Sequence, residues 1–166
     1  MITSKIKIGE DGEFKDSREY GLVFLSADSL LAAEVKDFDT TSYPEEEGEH
    51  IIPKSVDAPF DYQAKFFISP ERLIGEDKLA DANKIVSDFN ARISTLDLET
   101  KVRTFKKIYF YNEYKGILIV GYAKPISKPE TFWRDTRGIV NDVVVVEWNI
   151  RVTKPSECDF NYDPSN

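Results

Sequence analysis

The residues best suited to chemistry in this 166-residue chain cluster at one acidic run and the histidine after it. The run comprises Glu45, Glu46, Glu47 and Glu49 around a glycine, and it precedes His50, the single histidine. Glutamate oxygens attract Ca²⁺, but a calcium loop needs ligands at alternate positions, and this run lacks that spacing. Any Ser-His-Asp or Cys-His nucleophile would have to recruit His50. We interpret His50 as an exposed loop residue, and we predict no metal site.

The remaining candidate nucleophile is Cys158, the only cysteine. A reactive thiolate needs an electropositive setting, whereas the neighbours here are Glu157 and Asp159. One cysteine and one histidine cannot build a zinc cluster, and a lone cysteine cannot form an internal disulfide. The chain also contains no P-loop, dinucleotide-binding fingerprint, nucleophile elbow or HExxH motif. The sequence therefore predicts no catalytic residue and no cofactor, and we expect a protein that is not an enzyme.

The charge and hydropathy of the chain exclude two classes of partner, nucleic acids and membranes. Lysine and arginine total 22 and aspartate and glutamate total 30, for a net charge of −8. Proteins that bind nucleic acid use basic patches against phosphates, so we predict no direct nucleic-acid binding. No run of 18 apolar residues exists, and the N-terminus lacks a signal-peptide core, so we predict neither a membrane span nor export. The lone thiol agrees with a cytoplasmic location.

Strand and helix patterns indicate which elements would position these residues. Aromatic residues make up 13% of the chain, which favours a sheet-rich fold. Residues 60–68 alternate between apolar and polar side chains, as do residues 143–152, and this period of two is typical of half-buried strands. An apolar stripe at helical spacing predicts an amphipathic helix over about 77–94. Its members are Leu79, Ala82, Ile85, Val86, Phe89 and Ile93.

Two β-rich segments follow the helix, and they set the fold class. Residues 105–123 read as a β-hairpin closed by a turn at 112–116. We predict an α+β fold, mostly an antiparallel β-sandwich or split barrel, with this one helix and this hairpin. Residues 43–59 read as a long loop, residues 30–38 as a further strand, and the chain as one domain over 1–153 with a frayed polar tail at 154–166.

The order of these elements, with a few local strings, resembles a known family. The strings are Arg18-Glu19-Tyr20-Gly21-Leu22-Val23, an acidic glycine-containing loop, and Tyr62-Gln63-Ala64-Lys65-Phe66-Phe67-Ile68. The helix, the hairpin and a closing strand that ends in Trp148-Asn149-Ile150-Arg151-Val152 complete the series. Together they resemble the N-terminal, ring-forming domain of the distal tail proteins of long-tailed bacteriophages. The resemblance covers residues 5–153, and the chain stops where that family commonly adds a second, carbohydrate-binding domain.

The resemblance implies a structural protein of a phage or prophage tail. Such domains form a homo-oligomeric, hexameric ring that joins the tail tube to the tail tip, and they have no active site. The expected partners are further copies of the chain, the tail tube and the tail hub. The expected location is the virion tail, after assembly in the host cytoplasm. Under this interpretation, the four glutamates Glu45, Glu46, Glu47 and Glu49 line the lumen of the ring or contact the next subunit.

Two other interpretations remain open from the sequence. One is a monomeric module that binds a sugar or peptide through exposed aromatic rings, since such rings are good contact surfaces. The other is a small enzyme built around His50 and surface acids. Strands at 5–8 and 143–152 are further candidates for pairing between subunits, because unpaired strand edges recruit partners. The aromatic candidates are Tyr109, Tyr111, Tyr114 and Trp133.

Overall fold

A computed structural model describes residues 4–28, 40–41, 50–51, 57–69, 72–73, 78–126, 130–136 and 139–164. Within these residues there is one α-helix, α1 (Lys78–Ile93), and two short 3₁₀ helices at Ser17–Tyr20 and Pro155–Glu157. The strands are β1 (Ser4–Ile8), β2 (Lys15–Asp16), β3 (Leu22–Ala27), β4 (Thr40–Thr41), β5 (His50–Ile51), β6 (Phe60–Ile68), β7 (Ser94–Leu96), β8 (Arg103–Phe105), β9 (Lys107–Asn112), β10 (Ile117–Ala123), β11 (Glu130–Thr136) and β12 (Ile139–Val152).

One large antiparallel sheet dominates the fold. Its strands follow the order β2-β1-β9-β10-β12-β6-β3, and β11 pairs with the first half of β12. Two separate two-stranded ladders join β4 to β5 and β7 to β8. The α+β class with a mostly antiparallel sheet is therefore confirmed, as are the helix and the hairpin β9–β10.

The large sheet curls so that its two ends face each other. Phe24 on β3 and Phe110 on β9 are separated by four strand spacings, which is about 19 Å in a flat sheet. Their ring centroids nevertheless lie 5.9 Å apart. Phe66 contacts Phe110 edge to face, and Trp148 contacts both rings. The sheet therefore wraps around an aromatic core, in the manner of a sandwich or split barrel.

The alternating patterns predict correctly which side chains enter this core. On β6, Tyr62, Ala64, Phe66 and Ile68 are buried, while the residues between them face outward. On the described part of β12, the buried set is Val144, Val146, Trp148, Ile150 and Val152.

Helix α1 covers one side of the core. Its apolar stripe is confirmed, because Ala82, Val86, Phe89 and Ile93 are buried. The ring of Phe89 meets Trp148 edge to face at 5.2 Å between centroids. Asn90 joins the helix to the segment after β10, because its side chain donates to the Ile126 carbonyl and accepts from the Ile126 N–H. These contacts hold the C-terminal end of the helix against the sheet.

Two strands proposed as subunit edges lie inside the sheet instead. Strand β1 pairs with β9 along its length and with β2 at Lys5 and Ile6. Strand β12 pairs with β6 on one side, and with β11 and β10 on the other. Their backbone groups are therefore largely satisfied within the chain, because the curled sheet closes around them.

The C-terminal segment is docked, so the expectation of a frayed tail is wrong. Leu118 on β10 exchanges two backbone hydrogen bonds with Asp159, at 2.7 and 2.9 Å. The ring of Tyr162 packs edge to face on Tyr111, and the Tyr162 N–H donates to the Gly116 carbonyl. The composition of this segment is polar, but the free edge of β10 supplies the partners that it needs.

Candidate functional site

The acidic run singled out by the sequence lies outside the described residues, as does the expected strand at 30–38. The backbone on either side of the run is described, and Thr41 pairs with His50 in the β4–β5 ladder. The run is therefore part of the connection between two paired strands. The side chain of His50 is outside the described part of the chain, so its role as a general base stays untested.

Cys158 is held by backbone groups. The Val120 N–H donates to its Sγ atom at 3.4 Å, and the thiol donates to the Val120 carbonyl at 3.8 Å. Burial raises the pKa of the Cys158 thiol, and the nearby Glu157 carboxylate acts in the same direction. The thiol therefore replaces a missing strand neighbour of β10 and is poorly suited to act as a nucleophile.

Three of the four rings expected to form an aromatic platform are described, and they differ in exposure. Tyr111 is buried under Tyr162, and Lys7 lies 4.5 Å from the ring centroid of Tyr109. Tyr114 is exposed at the turn of the β9–β10 hairpin. The side chain of Trp133 is outside the described set. Two of the four candidate rings thus have their faces or edges occupied by this chain.

Apolar exposure is instead concentrated in the segment that connects the predicted helix to the predicted hairpin. We call residues 94–105, which contain β7, β8 and their connection, the exposed hairpin. The Asp97 carboxylate accepts hydrogen bonds from the N–H groups of Glu99 and Thr100, which lowers the pKa of Asp97. Lys101 adopts a left-handed conformation with φ of 58°, and its N–H donates to the Asp97 carbonyl. The turn is thus built by specific local hydrogen bonds.

The exposed hairpin presents four large apolar side chains to solvent. Leu96 is 40% exposed, Leu98 74%, Val102 60% and Phe105 42%. At its base, Ser94 is buried, and its hydroxyl accepts from Arg103 at 2.9 Å and donates to the Asn90 carbonyl. An isolated two-stranded hairpin is marginally stable in water, so contacts at the base anchor it to α1 while its tip remains uncovered.

A second candidate site is a cavity beside the C-terminal end of α1. It has a volume of about 230 Å³. Its wall carries three positive charges, from Lys15 of β2, Arg92 of α1 and Lys106 between β8 and β9. Glu13 adds one negative charge. We call it the cationic cavity. Its lining residues are Ile8, Gly12, Glu13, Lys15, Tyr20, Arg92 and Lys106.

The wall between this cavity and a smaller one of about 90 Å³ is formed by Tyr20 and Arg92, which line both. The Arg92 guanidinium lies 5.6 Å from the centroid of the Tyr20 ring, and that ring meets Phe89 edge to face. Burial raises the pKa of the Tyr20 hydroxyl, although Arg92 opposes the shift. The stack fixes where the arginine charge is presented.

Comparisons with known proteins give no family assignment: no protein-family model matches the chain, and no curated protein matches it significantly. Among the described residues, no group of three or more histidine, cysteine, aspartate or glutamate side chains is placed to hold a metal ion. The helix in the described part of the chain is too short and too polar to span a membrane.

Neither the exposed hairpin nor the cationic cavity was predicted from the sequence. The apolar positions Leu96, Leu98 and Val102 do carry a signal, because they flank Asp97 and Glu99-Thr100 in a strand–turn pattern. No such sequence signal marks Lys15, Arg92 and Lys106, because they are far apart in the chain and each occurs among ordinary surface charges. They come together only in the folded chain, where the Lys106 N–H donates to the Ile93 carbonyl at the end of α1 and all three residues line one cavity.

Proposed function

We propose that this chain is a non-catalytic structural subunit that assembles with copies of itself, as a ring component of a phage or prophage tail. The observation that carries the proposal is the exposed hairpin, with four large apolar side chains in twelve residues. Full burial of one such side chain is worth about 1.5–3 kcal/mol, so covering even part of this set would stabilise a subunit contact. Large apolar side chains exposed together in one short segment favour an interaction surface.

The family resemblance supplies the type of assembly. The antiparallel sheet, the helix over Lys78–Ile93 and the hairpin β9–β10 occur in the order that the resemblance implies. A hexameric ring uses heterologous contacts, in which one patch on each subunit meets a different patch on the next. The proposed partners are therefore further copies of this chain, with the tail tube and the tail hub above and below the ring. The proposed location is the virion tail, after assembly in the host cytoplasm.

The acidic balance of the chain fits a ring through which DNA passes without being held. A net charge of −8 repels the phosphate backbone, so we propose no direct nucleic-acid binding. Under this proposal, His50 has no role in catalysis.

The test is the solution mass of the wild type and of two matched variants, measured by light scattering over a concentration series. We expect a mass near six chains for the wild type. The hairpin variant L98N/V102T removes apolar surface at exposed positions, so it should shift to smaller species while its urea unfolding stays unchanged. The control variant Y114S/Y122S removes apolar surface elsewhere and should assemble like the wild type.

Two outcomes would count against the proposal. A wild type that remains monomeric at every concentration, alone and with the tail-tube and hub proteins of the same genome, would exclude the ring. Assembly that proceeds equally well in the hairpin variant would remove the exposed hairpin as its basis.

A further inference from the structure

The cationic cavity concentrates positive charge on a chain that is acidic overall. Its wall holds three cationic side chains and one acidic one, whereas the whole chain carries a net charge of −8. The three cations come from a strand, from the last turn of α1 and from the residue before β9. A helix C-terminus favours a nearby positive charge, which explains Arg92 but not the two lysines from other elements.

These cations have no carboxylate partner within the described part of the chain. Of the described acids nearby, Asp16 pairs with Arg18 at 2.8 Å, and Glu10 (3.8 Å) and Glu157 pair with Lys107. Glu19 and Asp88 line the smaller cavity together with Arg92, without forming an ion pair with any described cation. Glu13 lies in the wall of the cavity without forming an ion pair with any described cation. The three cations are therefore not ion-paired within the described part of the chain, although acids lie near Arg92.

The fold holds the Arg92 charge in place and fixes the backbone position of Lys106. Arg92 stacks on Tyr20, which is itself packed against Phe89. The backbone N–H of Lys106 donates to the Ile93 carbonyl at 3.0 Å, which fixes this residue beside the end of α1. Because these positions are set before any ligand arrives, less conformational freedom is lost on binding.

We propose that the cationic cavity of one subunit receives the acidic run Glu45–Glu49 of a neighbouring copy. The run carries four carboxylates in five residues, the densest negative charge in the sequence. The β4–β5 ladder, which is separate from the large sheet, joins the two ends of the connection that contains it. Two different patches of opposite charge on each subunit produce a head-to-tail contact, which is the type that closes a ring. The part of this inference that concerns ring assembly rests on the proposed function.

The first experiment measures binding apart from assembly. A peptide with the sequence of residues 43–51 is titrated into the full-length variant E45Q/E46Q/E47Q/E49Q, whose own run no longer competes. Adding K15E/K106E to that variant should weaken peptide binding about tenfold, the combined effect of roughly two exposed ion pairs. Adding K84E/K124E instead makes the same change in net charge at exposed positions outside the cavity lining, and it should leave binding within about twofold. A peptide with four glutamines is the ligand control.

The second experiment measures assembly by light scattering. The variant K15E/K106E, with its own acidic run intact, should fail to form the ring. Adding E46K/E47K to that same chain exchanges the two charges across the contact, and it should restore the ring. Arg92 is left unchanged in both experiments, so that its stack on Tyr20 is preserved.

The outcomes separate this inference from the proposed function. Suppose that K15E/K106E abolishes peptide binding but the wild type never assembles. The ring would then be refuted and the intersubunit contact overturned, because the run would act within its own chain. If the K15E/K106E variant forms a normal ring and binds the peptide with unchanged affinity, this inference alone is overturned. Dependence of both binding and assembly on the two lysines, with rescue by the exchanged charges, is the expected result.

Discussion

Replacement of Gly121 by alanine should break the junction between the two halves of the sheet. A Cβ atom at this position would overlap the Arg151 carbonyl oxygen and would lie 2.9 Å from both the Arg151 carbonyl carbon and the Ile150 Cγ2 atom. The overlap involves backbone on both strands, so no side-chain rotation relieves it. Strands β10 and β12 would have to separate at the point where they meet.

The expected loss of stability follows from the small number of paired residues that join β10 to β12. The described pairing comprises Tyr122 with Arg151 and Ala123 with Ile150, continued by the Lys124 N–H donating to the Asn149 carbonyl at 3.0 Å. Overpacking costs about 1–3 kcal/mol, and the loss of one hydrogen bond adds about 1 kcal/mol. We therefore expect G121A to lower the free energy of unfolding by about 3 kcal/mol. With a urea slope of about 2 kcal/mol/M, the midpoint should fall by roughly 1.5 M.

A matched glycine separates this steric cost from ordinary backbone preference. Gly9 has φ of 78°, and a Cβ there would meet no atom within 4 Å. The variant G9A should therefore cost only about 1 kcal/mol, and G9N should recover part of it, because asparagine tolerates the left-handed region. Urea unfolding followed by circular dichroism at one protein concentration measures all three variants. A midpoint for G121A equal to that of G9A, or higher, would refute the close approach of β10 to β12.

Three further predictions concern single side chains. The variant C158A should lower the free energy of unfolding by about 1–2 kcal/mol, because it leaves the Val120 N–H and carbonyl unpaired, and C158S should recover most of the loss in urea unfolding. The Tyr62 hydroxyl is buried without a hydrogen bond of normal geometry, and burial raises the pKa of Tyr62 to about 12; Y62F should therefore be neutral or stabilising by up to about 1 kcal/mol, and a lower thermal midpoint would contradict this. A hydrogen bond from Arg18 lowers the pKa of Asp16 below 3.8, so its stabilising effect is present above about pH 4 and is lost as the pH falls through the lowered pKa; D16N should cost less than about 1 kcal/mol at pH 7 and a smaller amount at pH 2, as urea titrations at both pH values would show.

Much of the fold follows from local patterns that the sequence displays directly. The period of two over Phe60–Ile68 and Val144–Val152 identifies the core side of both strands, because successive side chains of a strand point to opposite faces. The spacing of Ala82, Val86 and Phe89 identifies the buried face of α1 for the equivalent reason in a helix. The C-terminal segment was mispredicted because its composition is polar. Its order comes from pairing with the free edge of β10, a partner that lies some forty residues away.

The candidate sites divide in the same way. Local sequence patterns are enough to predict α1, the hairpin β9–β10, the inward side chains of β6 and β12, and the dense negative charge at Glu45–Glu49, because each of these depends on neighbouring residues. That Lys15, Arg92 and Lys106 share one cavity is visible only in the folded chain, since they meet through the strand order β2-β1-β9 and the position of the end of α1. The tertiary structure also decides that the apolar residues of 94–105 face solvent, because burial depends on what lies opposite a side chain and not on its type.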